Sequence, residues 1–452
     1  MAGLFALSIN RKGYQGNFLK DLFWGTFYQQ HLGEDYSGLS TYDDKMPGKI
    51  KLRTHQGLFR PTFTEDLKGL EGIQGVGYCG LDREPFLTNS KLGKFSSCFS
   101  GNIINRTELI KKFKNLGHSF EREDDIEVLT KLISRGENIV DGIKKMTKEI
   151  KGAFTLLILT EQGIYATRCL NGHWPLIIGG KNGAIAVSSE SSSFSNLGFK
   201  ILRDIKPGEI ILMRNGEFKT VDLMSIEKTQ VCSFLWVYSA FPNDVIEGIS
   251  VSLVRKKLGQ SLARRDIERG FCPDIIAPVP DSGRFHAIGY FQEFCQQMNE
   301  GKIKKLPFYD EVLLKYPYTG RSFIPQNQQM RDLEAQIKLL RSGENYQDKT
   351  LVICDDSIVR GTQAQTNLVP KLRDLGIKEI HFRISNPELL SHCPWGKTTK
   401  KGETLVSRFP TKEARIKFLG IEGLEYNTIE DLTKAIGISR ENLCLDCDLS
   451  TS

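Results

Sequence analysis

The chain has 452 residues, enough for two domains that each bury a core. Hydrophobic residues make up 40% and charged residues 25%, an ordinary globular balance that argues against disorder. The formal net charge of +7, without a dense Lys/Arg stripe, argues against a nucleic-acid partner and fits a site for a small polyanion. The apolar start, GLFAL, has no basic leader and is too short for a signal peptide or a membrane span. A cytoplasmic protein with no membrane partner is therefore expected.

Along the chain, helices are predicted at Thr107–Leu116 and Asp124–Ser134. Strands follow at 152–160 (GAFTLLILT), 163–169 (GIYATRC), 184–190 (AIAVSSE) and 209–213 (EIILM). Lys181-Asn182-Gly183 and Lys206-Pro207-Gly208 punctuate them, as expected of an α+β layer domain rich in antiparallel sheet. After about residue 230 strands and helices alternate. DIIAPVP (274–280) precedes a helix from His286, TLVIC (350–354) precedes a helix at Ala364–Leu375, and EIHFRIS (379–385) follows. This alternation predicts an α/β domain with a parallel sheet. From about 395 the chain is polar, with a short helix at Ile429–Ala435. The expected division is 1–230, 231–395 and a C-terminal segment 396–452.

Three stretches of the second half carry chemistry. In TLVICDDSIVRGTQ (350–363) an apolar strand delivers Asp355 and Asp356 to a loop whose Gly361 and Thr362 amides, at a helix start, can bind phosphate. Two acids before a helix are also what a simple N-cap looks like. In PVPDSGR (278–284), Gly283 is expected to allow an unusual backbone, and Arg284 to reach a pyrophosphate. Lys315–Lys338 reads as a long cationic cover. A turn and a solvated surface loop are the plain alternatives, and the co-occurrence of all three favours a sugar-phosphate site.

DDSIVRGT after an apolar strand resembles the diagnostic loop of type I phosphoribosyltransferases. With PVPDSGR and TGRSFI it is similar to the glutamine phosphoribosylpyrophosphate amidotransferase family. The likeness extends through GLFAL, SSES and IKPGEI in the first half. It continues in VCSFLWVYSAFPNDVIEGISV, with Arg255 and Gly259 following. It implies an Ntn-hydrolase-like class II glutaminase domain of α+β type, followed by an α/β type I phosphoribosyltransferase domain with a parallel sheet. It further implies a homo-oligomer. Phosphoribosyl pyrophosphate would be held by Asp281, Ser282, Gly283, Arg284, Lys315, Arg321, Asp355, Asp356, Ser357, Ile358, Val359, Arg360, Gly361, Thr362 and Gln363. Mg²⁺ would be bound by Ser282, Asp355 and Asp356. The amine displacing pyrophosphate would be ammonia, ammonia from a separate source, or another amine. A regulatory paralogue that binds without catalysis is the alternative. The cover departs from the family, with Pro317 and Gln336 where cations are usual.

Ten cysteines in a chain of this length do not make a disulfide scaffold. The resemblance implies a [4Fe–4S] cluster on Cys232, Cys393, Cys444 and Cys447, although a Cys₄ zinc site has the same ligand count. SHCPWGKTTKKG around Cys393 departs from the family.

The family hydrolyses glutamine with an N-terminal cysteine, whose position here is Ala2. Its carboxylate-anchoring Arg is replaced by Gly77 and its oxyanion-hole Asn by Ser100, while Asp125 matches the acid that would hold the substrate's amino group. Ala2 alone is also what an engineered substitution would leave. The three departures together imply a natural loss of glutamine hydrolysis.

Overall fold

The computed structural model describes residues 2–46, 49–226, 228–316, 339–343, 346–396 and 402–449. The chain divides into two compact units. One comprises Met1–Cys232, Asn243–Gly248 and Pro394–Lys397; the other comprises Ser233–Pro242, Ile249–Cys393 and Thr398–Ser452. The first crossing thus lies at 232/233, close to the expected 230/231, but the chain then returns to the first unit twice.

The first unit contains a seven-stranded and a six-stranded sheet, antiparallel throughout. Strand Gly3–Ile9 lies at the middle of the larger sheet, between Gln74–Gly80 and Ala184–Ser188. All seven of its residues are buried because both faces are covered. Leu4 and Ala6 enter a core shared with Cys98, Leu157, Ile164 and Met213 of the smaller sheet, whereas Phe5, Leu7 and Ile9 enter a second core with Phe18 and Leu22. Helix Phe18–Phe27 packs on the outside of the larger sheet and helix Asp125–Ile133 on the smaller, completing an α-β-β-α stack. The strands expected from sequence occur at Gly152–Thr160, Gly163–Arg168, Ala184–Ser188 and Glu209–Arg214. The helices occur at Arg106–Asn115 and Asp125–Ile133, the latter capped by the Asp124 side chain accepting from the Glu127 N–H.

The second unit is built on a five-stranded parallel sheet. Its spatial order is Phe308–Tyr309, Ile275–Pro278, Thr350–Asp355, Glu379–Ile384, Gly423–Tyr426. In chain order that is second, first, third, fourth, fifth, so the direction of winding reverses between Ile275–Pro278 and Thr350–Asp355. Such a switch opens a crevice at the carboxyl ends of the two strands. The last strand comes from the expected C-terminal segment, which is therefore part of this unit's core: Leu424 is buried beside Ile380 and Phe382.

Helices Val251–Glu268 and Arg284–Asn299 pack closely, because a Cβ on Gly259 would lie 2.0 Å from the His286 carbonyl and one on Gly289 equally close to that of Lys256. The second helix starts at Arg284, two residues before the expected His286. The helix expected at Ala364–Leu375 is split into a wide i→i+5 turn, Ala364–Leu368, and a short α-helix, Val369–Arg373. Pro370 in the first turn of the latter has no N–H to continue the ladder. Arg255, buried, donates to the carbonyls of Trp236 (3.0 Å), Tyr238 (3.1 Å) and Ala240 (2.8 Å), fixing Ser233–Pro242. Among the described residues no helix is long and apolar enough to cross a membrane.

Candidate active site

The two motif loops emerge side by side. Ile275–Pro278 and Thr350–Asp355 are adjacent parallel strands in which Pro278 is level with Cys354, so Asp281–Arg284 and Asp355–Gln363 leave the same edge of the sheet. Ser282 Oγ donates to Asp355 Oδ1 across the crevice (3.3 Å). The Asp356 N–H donates to the same carboxylate (2.9 Å), and Ser357 Oγ donates to Asp356 Oδ1 (2.6 Å). Burial pushes both carboxyl groups above the usual range. Asp355 is raised further by the charge of Asp356, while hydrogen bonds from Ser357 and Ser282 oppose the rise at Asp356. Two carboxyl groups disfavoured as bare anions, beside the Ser282 hydroxyl, are a donor set that suits a hard divalent cation.

The loop after the acids is shaped for a close approach. Gly361 has φ +72°, in the left-handed region that favours glycine, and a Cβ there would press to 3.0 Å of Leu405 Cδ1. Ile358 anchors the loop in the core, and the Val359 carbonyl accepts from the Leu405 N–H (2.6 Å). Arg360 turns to the Glu403 carboxylate. Gly283 departs from expectation. Its φ is an ordinary −74°, and glycine is required because a Cβ would lie 2.2 Å from the Cys354 carbonyl oxygen and 2.8 Å from that of Val279. It serves close packing between the two loops rather than an unusual backbone.

Two of the expected pyrophosphate cations, Arg284 and Lys315, are already engaged. Arg284 Nε and Nη2 each lie 2.9 Å from a Glu311 carboxylate oxygen, and Nη1 lies 3.1 Å from Asp281 Oδ1. The Glu311 hydrogen bond holds the Arg284 guanidinium above its ordinary range. Lys315 Nζ donates to Asp281 Oδ2 (2.9 Å). Lys315 ends strand Leu313–Lys315, which pairs antiparallel with Leu339–Arg341. Arg321, Pro317 and Gln336, and the cover from 317 to 338, lie outside the described residues.

In the first unit, Ala2, Gly77 and Ser100 sit on three neighbouring pieces of structure. The buried Ala2 N–H donates to Ser100 Oγ (2.8 Å), so the serine hydroxyl is occupied by the backbone at position 2. Gly77 pairs with Phe5 on the adjacent strand. A Cβ on Gly77 would lie 1.8 Å from Thr26 Oγ1, a buried side chain of helix Phe18–Phe27. Asp125 is buried, with Arg106 Nη1 3.6 Å away. Sequence reasoning missed Thr26, Arg106 and Glu311.

A sequence family described as a glutamine amidotransferase domain matches residues 79–196. The amidophosphoribosyltransferase of Methanocaldococcus jannaschii is 33% identical over 95% of this chain and 93% of its own length. The chain belongs to the amidophosphoribosyltransferase family. The Bacillus subtilis amidophosphoribosyltransferase is 30% identical over 94% of this chain and 89% of its own. A solved structure described as glutamine phosphoribosylpyrophosphate amidotransferase from B. subtilis, complexed with ADP and GMP, superposes with a TM-score of 0.85. It is 30% identical, covering 98% of this chain and 96% of that chain. Membership of the amidophosphoribosyltransferase family makes the chain a pentosyltransferase-type enzyme with a glutaminase-like first half and a phosphoribosyltransferase-like second half.

The four expected cluster ligands fit in kind, since thiolates are soft donors. Among the described residues no group of three or more His, Cys, Asp or Glu is placed to hold a metal ion, although within the second unit Cys393 lies near enough to Cys444 to raise its thiol electrostatically. Cys232 belongs to the first unit, and Cys393, Cys444 and Cys447 to the second. Within the second unit the N–H groups of Leu390 and Ser391 donate to the Cys447 carbonyl (2.9 and 3.2 Å), bringing the Cys393 and Cys447 stretches together. Burial pushes the Cys444 thiol up to about 12.

Proposed function

We propose that the chain transfers the phosphoribosyl group of phosphoribosyl pyrophosphate to ammonia or another amine, with Mg²⁺ and without hydrolysing glutamine. The observation that carries this reading is the pairing of the Asp281–Arg284 and Asp355–Gln363 loops at a sheet switch point, tied by Ser282 to Asp355. Asp355 and Asp356 would accept hydrogen bonds from the ribose hydroxyls, and the amides after Ser357 would receive the 5-phosphate. A Mg²⁺ ion held by Ser282, Asp355 and Asp356 would offset charge on the departing pyrophosphate. The two loops would hold the ribose between them for attack at C1 by the incoming amine, with the 5-phosphate held by the loop after Ser357.

Loss of glutamine hydrolysis is supported by a methyl group at position 2, by the engagement of Ser100, and by Thr26 in the space beside Gly77. A non-catalytic, ligand-binding reading is favoured by one feature, the carboxylate partners of Arg284 and Lys315. We also assign Cys232, Cys393, Cys444 and Cys447 to a [4Fe–4S] cluster of structural role, on donor type alone.

Pyrophosphate release from phosphoribosyl pyrophosphate and Mg²⁺, measured with glutamine, ammonium or neither, tests the proposal. Amine-dependent release that Asp355→Asn abolishes is expected. Tight binding with no release for any amine would leave the non-catalytic reading, and turnover with glutamine alone would overturn the loss of hydrolysis.

A further inference from the structure

The crevice edge beside Ser282 carries two cations and two anions in a chain: Glu311, Arg284, Asp281, Lys315. Parallel pairing explains the arrangement. Strand Phe308–Tyr309 lies against Ile275–Pro278 with Tyr309 level with Ile276, so Glu311 follows its strand as the Asp281–Arg284 loop follows the neighbouring one. The Asp310 N–H donates to the Ile276 carbonyl (3.0 Å) and fixes that register immediately before Glu311. Arg284 opens helix Arg284–Asn299, where a cation faces the unfavourable end of the helix dipole. A two-pronged carboxylate partner both offsets that and locks the guanidinium plane.

The two cations differ in how firmly they are held. All three guanidinium nitrogens of Arg284 face carboxylate oxygens, two on Glu311 and one on Asp281. Among the described residues Lys315 has one charged contact, to an Asp281 side chain that is 50% exposed. A single exposed ion pair is worth little and yields readily to a polyanion, whereas a forked pair with a third contact resists.

We propose that Glu311 is a positioning residue that withholds Arg284 from the pyrophosphate group, so that the site grips pyrophosphate through Lys315 and the metal and releases it readily after transfer. This rests on the phosphoribosyl pyrophosphate reading above. Sequence inspection assigns Arg284 to the pyrophosphate; the geometry assigns it to Glu311.

The test is calorimetric titration of the full chain, with Mg²⁺, by inorganic pyrophosphate and by phosphoribosyl pyrophosphate. Glu311→Gln keeps the shape and removes the charge, freeing Arg284. It is expected to tighten pyrophosphate binding about fivefold at low salt, with the gain shrinking as ionic strength rises. Glu311→Asp restores the weaker affinity, and Arg284→Gln added to Glu311→Gln cancels the gain. Unchanged or weaker pyrophosphate binding in Glu311→Gln overturns the proposal, as does a gain that survives loss of Arg284. If Asp355→Asn abolishes binding while Glu311→Gln leaves it unchanged, only this inference fails. If the wild-type chain binds neither compound, the underlying reading fails and takes this one with it. A purely structural Glu311 would lower the melting temperature of Glu311→Gln without altering pyrophosphate affinity, and that result also overturns the proposal.

Discussion

On the proposed reading, an Ala2→Cys substitution, with Met1 removed, places a thiol at the expected nucleophile position, yet the surroundings it meets are altered in two further ways. On that reading Ser100, whose hydroxyl accepts from the Ala2 N–H, replaces an oxyanion-stabilising amide, and loss of one such donor costs roughly 10²–10³ in rate, about 2.7–4 kcal/mol. At position 77 no cation is present to anchor a substrate carboxylate, and a charge-assisted hydrogen bond contributes about 1.5–3 kcal/mol. Together the deficits come to about 4–7 kcal/mol, or ~10³–10⁵ in kcat/KM. Nor does restoring Arg at position 77 suffice, because its Cβ would lie 1.8 Å from Thr26 Oγ1 on a buried helix face. Glutamate formation from glutamine is therefore expected to stay at background in Ala2→Cys. It should rise measurably only when Ser100→Asn, Gly77→Arg and Thr26→Ala are added together. Glutaminase activity in Ala2→Cys alone within tenfold of the quadruple variant would refute the reasoning.

Gly283→Ala is expected to abolish phosphoribosyl pyrophosphate binding, since the three atoms its Cβ would strike, the carbonyl oxygens of Cys354 and Val279 and the Val279 nitrogen, are all backbone and cannot swing aside; calorimetry on the folded variant checks this. Burial raises Asp204 to about 7, with Glu247 adding to the shift, so between about pH 4 and pH 7 the native state binds a proton that the unfolded chain releases. Stability then falls as pH rises through that window, by up to about 4 kcal/mol, and Asp204→Asn should flatten the urea-unfolding midpoint between pH 5 and pH 8. An identical pH slope in the two proteins would refute it. Anaerobically purified protein is expected to carry about four irons per chain with broad absorbance near ~400 nm; stoichiometric zinc would exclude the cluster.

Alternation and turn signals made the strands at 152–160 and 350–355 legible within a residue, because buried central strands are written as unbroken apolar runs. The two-residue edge strand Phe308–Tyr309 carries no such signal, and with it went Glu311, whose partner Arg284 is 27 residues away along the chain. The placement of an acid just past one strand, beside a basic loop just past another, would have been the clue had the strand order been known. Gly283 shows a different limit. A glycine in a motif loop reads equally as positive φ or as close approach, and only three-dimensional packing separates them. Thr26 filling the space beside Gly77 was hidden because helix and strand are joined only by tertiary packing.

Residues 233–242 belong to the second unit while 243–248 belong to the first. Arg255, whose buried guanidinium relies on carbonyls at 236, 238 and 240, ties the earlier segment to helix Val251–Glu268. A gene shortened to begin at 249 would strand that charge without its acceptors, at a cost of several kcal/mol. If the first unit has lost its chemistry as proposed, the chain path still alternates between the two units, so silencing that unit by point substitution is far easier than deleting it.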